Sequence, residues 1–178
     1  MCNQEENIEK SFIWATQYIE EKNLEKLKEE IRKCPEILKF VMALDKTLLH
    51  VAAYEGNPEI IEYLVSNGMD INKIVEDYSP INLAVLNNQK ENVIKLIELG
   101  ADLHSDNPIH NPLFTAINKG NYEIAQILIN AGIDLSPVYR TIDSPWWDTL
   151  SYARYKGQII IAKMIEKKLT EQGIEFEP

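Results

Sequence analysis

A chain of 178 residues suits one domain or one short array, and at this size folding hides roughly two thirds of the surface that the unfolded chain exposes, so no disulfide or metal staple is required. With 45% apolar and 26% charged residues the composition argues against disorder through most of the chain, while 18 basic against 28 acidic side chains leave a net charge of −10 that repels nucleic-acid phosphates and anionic lipid and favours basic surfaces. No apolar run approaches the ~20 residues of a membrane span, Met1 to Lys10 lacks the apolar core of a secretion signal, and Cys2 and Cys34 give no framework of bridges, so a cytoplasmic, reducing location is expected.

The polar stretch Asn3 to Lys10 is expected to fray. From Ser11, a candidate N-cap, the residues Phe12, Trp14, Ala15, Tyr18 and Ile19 follow helical spacing. A break at Glu20 to Asn23 separates them from a second amphipathic helix carrying Leu24, Leu27 and Ile31, which must stop near Cys34 because Pro35 follows. Its other face is thoroughly charged, as the end unit of a stack requires, so residues 11–38 are read as a degenerate first repeat acting as a cap.

From Thr47 onward a pattern recurs. Leu49, Ala52, Leu64, Gly68 and Asp70 return 32 residues later as Ile81, Ala84, Leu96, Gly100 and Asp102, and again as Leu113, Ala116, Leu128, Gly132 and Asp134. A period of this size means stacked supersecondary units, here 45–72, 77–104 and 109–136, none of which can bury its apolar face alone. In each, Thr47, Ser79 or Asn111 is placed to cap a first helix of about ten residues, with Pro80 and Pro112 at the first helical position. Asn57 and Pro58 open a second helix; Gly68, Gly100 and Gly132 follow the second helices where a left-handed cap is expected, and Asp70, Asp102 and Asp134 begin the reversal.

A worn fourth copy, 146–170, carries Leu150, Ala153, Gly157, Ile161 and Ile165 at an offset of 37, so the preceding connection, Ser136 to Trp147, is five residues longer. Lys163, Glu166, Lys167 and Lys168 give its last helix a charged outer face, and Gln172 to Pro178 read as a loose acidic tail.

The run Thr47-Leu48-Leu49-His50-Val51-Ala52-Ala53, then Gly56, then Gly68-Met69-Asp70-Ile71-Asn72, resembles the ankyrin repeat, whose signature is T-P-L-H-x-A. The resemblance covers nearly the whole chain. It implies an all-α solenoid of about five helix-turn-helix units with degenerate caps at both ends, in which the Thr hydroxyl and His ring tie neighbouring units by hydrogen bonds. Here Pro is replaced by Leu48, His by Asn82 and Phe114, and Gly56 by Asn88 in the next unit.

The resemblance further implies that partners dock on the hairpin tips and the exposed side of the first helices. The period places Lys46, Tyr78, His110 and Trp147 at equivalent tips, with Asp77 beside one of them. Tyr54 with Glu55, Leu86 with Asn87, Asn118 with Lys119 and Tyr155 with Lys156 form the matching variable pair. The expected partner-binding set is Lys46, Tyr54, Glu55, Asp77, Tyr78, Asn87, His110, Lys119, Trp146, Trp147 and Tyr155, in which Tyr and Trp are the usual anchors of interface energy. Trp146 and Trp147 have the alternative of folding back over the end of the stack.

No Gly-rich phosphate loop, G-x-S-x-G elbow or paired-cysteine motif is present, so no enzyme and no cofactor are expected. The rival is a metal-binding or enzymatic loop using His104 and His110 with Asp102 and Asp106, whose spacing matches no rigid ligand motif. The leading expectation is a non-catalytic adaptor or inhibitor, monomeric when unbound, that works by binding a partner with a basic surface. An immunity or antitoxin-like protein is the concrete form, suggested by size, charge and a bias toward Lys, Ile and Asn that points to an AT-rich, bacterial genome.

Overall fold

The computed structural model describes residues 5–41, 46–105, 107–138 and 147–176. Among them lie ten α-helices in five consecutive pairs, as expected from the repeat. Two compact units divide the chain, Met1–Ala101 and Asp102–Pro178. The first holds α1 (Glu5–Glu20), α2 (Leu24–Lys33), a 3-10 turn (Pro35–Leu38), α3 (Leu48–Glu55), α4 (Pro58–Ser66), α5 (Pro80–Leu86) and α6 (Lys90–Glu98). The second holds α7 (Pro112–Lys119), α8 (Tyr122–Asn130), α9 (Thr149–Tyr155) and α10 (Ile159–Glu171).

Within the first unit the leading helices pack in a row, α1 on α3 and α3 on α5, while α4 packs on α6 behind them. The second unit repeats the scheme, with α7 on α9 and α8 on α10. The recurring residues are what make this possible. Ala52, Ala84, Ala116 and Ala153 are fully buried, and their small side chains let leading helices approach closely. Leu64, Leu96, Leu128 and Ile165 are fully buried on the second helices, each contributing about 1.5–3 kcal/mol through burial.

The helix ends follow local chemistry. The Thr47 hydroxyl accepts from the His50 N–H at 3.4 Å, Asn57 Oδ1 from the Ile60 N–H at 2.9 Å, and Asn111 Oδ1 from the Leu113 N–H at 2.9 Å. Gly68, Gly100 and Gly132 take φ of 89°, 87° and 86°, the left-handed conformation in which a side chain is strained. Two residues on, Asp70, Asp102 and Asp134 each accept from the N–H of the residue two ahead, at 2.9, 2.8 and 2.9 Å, closing the same turn in all three repeats. The paired N–H and O–H of Ser136 hold the Asp134 carboxyl below its ordinary pKa.

Four expectations are corrected. Helix α1 starts at Glu5, so Ser11 lies inside it and residues 5–10 are helical; good helix formers and the Lys10–Glu6 pair at 2.7 Å carry them. The first helices of the later units, α3, α5, α7 and α9, run seven or eight residues, shorter than expected. Ser79 occupies the N-cap of α5 but makes no capping bond; its hydroxyl donates to Asn82 Oδ1 at 3.0 Å. In the acidic tail, Gly173 at φ 70° and the Ile174 N–H bonded to Leu169 O at 3.0 Å finish α10 as a cap.

Candidate functional site

In the first unit the leading helices α1, α3 and α5 and the loop before α5 enclose a groove of about 650 Å³. Helix α1 supplies Phe12, Thr16 and Glu20, spaced by four and therefore on one face. Helix α3 supplies His50, Val51, Tyr54 and Glu55, and α5 supplies Leu83 and Leu86. Lys46 enters from the residue before the Thr47 cap, Glu76 and Tyr78 from the hairpin tip.

That tip is a two-residue hairpin in which Val75 and Tyr78 exchange both backbone hydrogen bonds at 2.9 Å. Its central residues, Glu76 and Asp77, have φ of 45° and 69°, the left-handed region that such a hairpin demands. A side chain there costs roughly 1–2 kcal/mol, partly offset in glycine by its larger unfolded-state freedom. Glu76→Gly is therefore expected to raise the unfolding free energy by about 0.5–1 kcal/mol, read from the urea midpoint. Strain retained at a tip that faces a groove is typical of a binding element.

His50 fastens the tip to α3. Its Nε2–H donates to Tyr78 O at 3.3 Å, which leaves Nδ1 to accept from the Thr47 hydroxyl at 2.8 Å. Both ring nitrogens are thus committed to structure. Burial holds the His50 pKa below the usual 6.5, against the opposing pull of the Tyr78 and Lys73 carbonyls, and the charges of Lys46 and Lys73 lower it further. A depressed histidine pKa means that the unfolded chain takes up the proton first. Stability should therefore be fully present above pH 6.5 and fall as the pH drops through the lower folded-state value, a step that His50→Asn should remove from the urea midpoint measured against pH.

Of the expected partner-binding residues, the groove brings together Lys46, Tyr54, Glu55 and Tyr78. Asp77 is exposed on the tip. Asn87 is half-buried, and its Nδ2–H donates to Tyr54 O at 2.7 Å beside Gln89 Nε2 at 2.9 Å, so this amide closes the C-terminus of α3. In the second unit His110 is half-buried just before the Asn111 cap, and Lys119 is exposed in the last turn of α7. Trp147 is half-buried in an aromatic cluster, edge-on to Tyr152 at 5.9 Å and tilted against Tyr155 at 4.7 Å, while Tyr152 stacks on Phe114 at 4.7 Å. Burial raises the Tyr152 phenol above its ordinary pKa, with Tyr155 adding to the effect. Tyr155 itself is 67% exposed. Trp146 and Asp106 lie outside the described residues. Among the described residues no group of three His, Cys, Asp or Glu side chains is placed to hold a metal ion.

The groove also contains residues absent from the expected set: Phe12, Thr16 and Glu20 on α1, Glu76 on the tip, and His50, Val51, Leu83 and Leu86. Leu86 was within reach of the sequence, because it pairs with Asn87 at the variable position. Glu76 shares its tip with Asp77. The α1 wall carries no repeat signature and gives no such signal.

Residues 13–107, a little over half of the chain, match the family model described as ankyrin repeats in three copies. The chain is 28% identical over 134 residues to an ankyrin repeat protein of Borreliella burgdorferi, an alignment covering 75% of this chain and 59% of that protein. It is 30% identical over 88 residues to ankyrin repeat and SOCS box protein 5 of Oryctolagus cuniculus and likewise to ankyrin repeat and SOCS box protein 11 of Homo sapiens. Each of these two alignments covers 49% of this chain and 27% of the relative, so the chain spans less than two thirds of the length of the relatives it matches.

Proposed function

The chain belongs to the ankyrin-repeat family, and from that premise we propose that it works by binding another protein, without catalysis, through the groove of its first unit. One observation carries this reading: much of the groove is lined by side chains that the helix packing does not consume. Tyr54 and Glu55 are exposed on α3 while Ala52 and Ala53 of the same helix are fully buried. The net charge of −10 favours a partner whose contact surface is basic, with association that slows as salt rises. No described helix is long and apolar enough to cross a membrane. The proposal places the chain in the cytoplasm, as a monomer until it meets its partner, and an immunity-like inhibitor is its narrower form, in which the groove covers the partner's own active surface.

The test uses the full chain as bait in lysate of its source at low salt, beside a Tyr54→Ala, Tyr78→Ala variant whose circular dichroism and thermal unfolding are checked first. Recovery of one protein by the parent and its loss with the variant supports the reading. Equal recovery by both removes the groove from binding. The inhibitory form stands or falls on whether the recovered protein loses its own activity when the chain is added.

A further inference from the structure

We infer that the groove of the first unit takes a short, linear segment of its partner in which an apolar side chain is flanked by lysine or arginine; this rests on the protein-binding reading and names what enters. The dimensions come first. A stable contact between folded surfaces involves about 800 Å² and roughly 20–30 residues on each side, whereas about 650 Å³ receives only a few side chains of one segment.

The lining then sets the chemistry. Val51, Leu83 and Leu86 are half-buried, in contrast to the fully buried Ala52 and Ala84 beside them, so each turns part of its apolar surface to the groove. An apolar side chain seated there would remove that surface from water. Around this floor stand the carboxylates of Glu20, Glu55 and Glu76, delivered by α1, α3 and the tip, against one cation, Lys46, among the described lining residues. Among the described residues none of the three has an ion pair or side-chain hydrogen bond, although Glu25, Glu62 and Glu98 elsewhere in the same unit each lie 2.8–3.6 Å from a lysine. The Glu76 carboxylate is held there by a backbone at φ 45°, a conformation that a glutamate adopts only at a cost. On the α1 wall the Thr16 hydroxyl oxygen is buried with no hydrogen-bond partner, so one polar group of the lining is unmet in the free chain. An acidic rim over an apolar floor complements basic and apolar side chains in alternation and repels an acidic segment.

The experiment titrates the full chain into short fluorescein-labelled peptides and follows anisotropy. One peptide alternates leucine with lysine, a second replaces the lysines by glutamate, and a third replaces the leucines by serine. Saturable binding of the leucine–lysine peptide alone is expected. Glu20→Gln, Glu55→Gln and Glu76→Gln together should weaken it by roughly tenfold or more with unchanged thermal unfolding, and Leu86→Ala should weaken it as well, while Tyr155→Ala in the other unit should not. Equal binding of the glutamate or serine peptide, or an unaffected triple glutamine variant, overturns the inference. If a partner captured from lysate is lost with Tyr54→Ala, Tyr78→Ala yet kept by the triple glutamine variant, the acidic rim is dismissed while the groove stays the binding site.

Discussion

Replacing Leu96 by alanine should lower the unfolding free energy by about 2–5 kcal/mol. Leu96 is fully buried on α6, which packs against both α4 and α5, so the lost methyl groups leave a void that three helices would have to close together. Two of them are also fixed from other sides, α4 by α3 and α5 by α3, and collapse into the void is correspondingly limited. Ile94, two residues away on the same helix but 37% exposed, is the control: its truncation should cost less than about 1 kcal/mol. Urea titration of the two variants decides the matter, and equal costs would mean that α6 is not the packed element described above.

Leu96 is also the residue type that the sequence reveals most readily. It recurs in step with Leu64 and Leu128, and a residue that must fill the same place in successive copies of one packing scheme leaves a periodic trace. The same holds for Gly68, Gly100 and Gly132 and for the three turn aspartates, whose roles are local and identical in every copy. What resists reading is whatever a single copy does differently. What extends α1 ahead of Ser11 includes a pair four residues apart, Glu6 and Lys10, with no apolar stripe to mark it, so Ser11 attracts the assignment. Ser79 looks like Thr47 in sequence, and its hydroxyl likewise bonds the side chain three residues on, here Asn82, yet the backbone capping bond that Thr47 makes is missing. Phe114, at the same position one repeat on, stacks instead on Tyr152, and that stack is part of what holds Trp147 half-buried. The groove is harder still, since its walls come from α1, α3, the Glu76–Tyr78 tip and α5, and only α3, the tip and α5 belong to units that the period aligns.

Changing Asn92 to isoleucine should destabilise the chain by about 1–3 kcal/mol, although the repeat itself argues for the opposite. At this position the neighbouring copies carry Ile60 and Ile124, both fully buried, and bringing an outlier to the family's apolar choice commonly stabilises. Asn92 is 2% exposed, so a polar side chain there looks like a defect in the stripe. Its Nδ2–H groups, however, reach α3, donating to Ala53 O at 3.1 Å and Ala52 O at 3.4 Å. A helix of eight residues leaves its last carbonyls without intrahelical donors, and in α3 these are answered by the next repeat, Ala53 by Asn92 and Tyr54 by Asn87 and Gln89. Isoleucine would bury more apolar surface but would leave Ala53 O without its donor in a place that water does not reach, and an unmet buried carbonyl outweighs the added methyl groups. Asn92→Asp is the companion variant: it keeps the shape, replaces the donor by an acceptor facing two carbonyl oxygens, and should cost more than isoleucine at neutral pH. If isoleucine instead raises the urea midpoint, the carbonyl ends of α3 are satisfied some other way, and the hydrogen bonds that join the second and third helix pairs carry less of the fold than this geometry assigns to them.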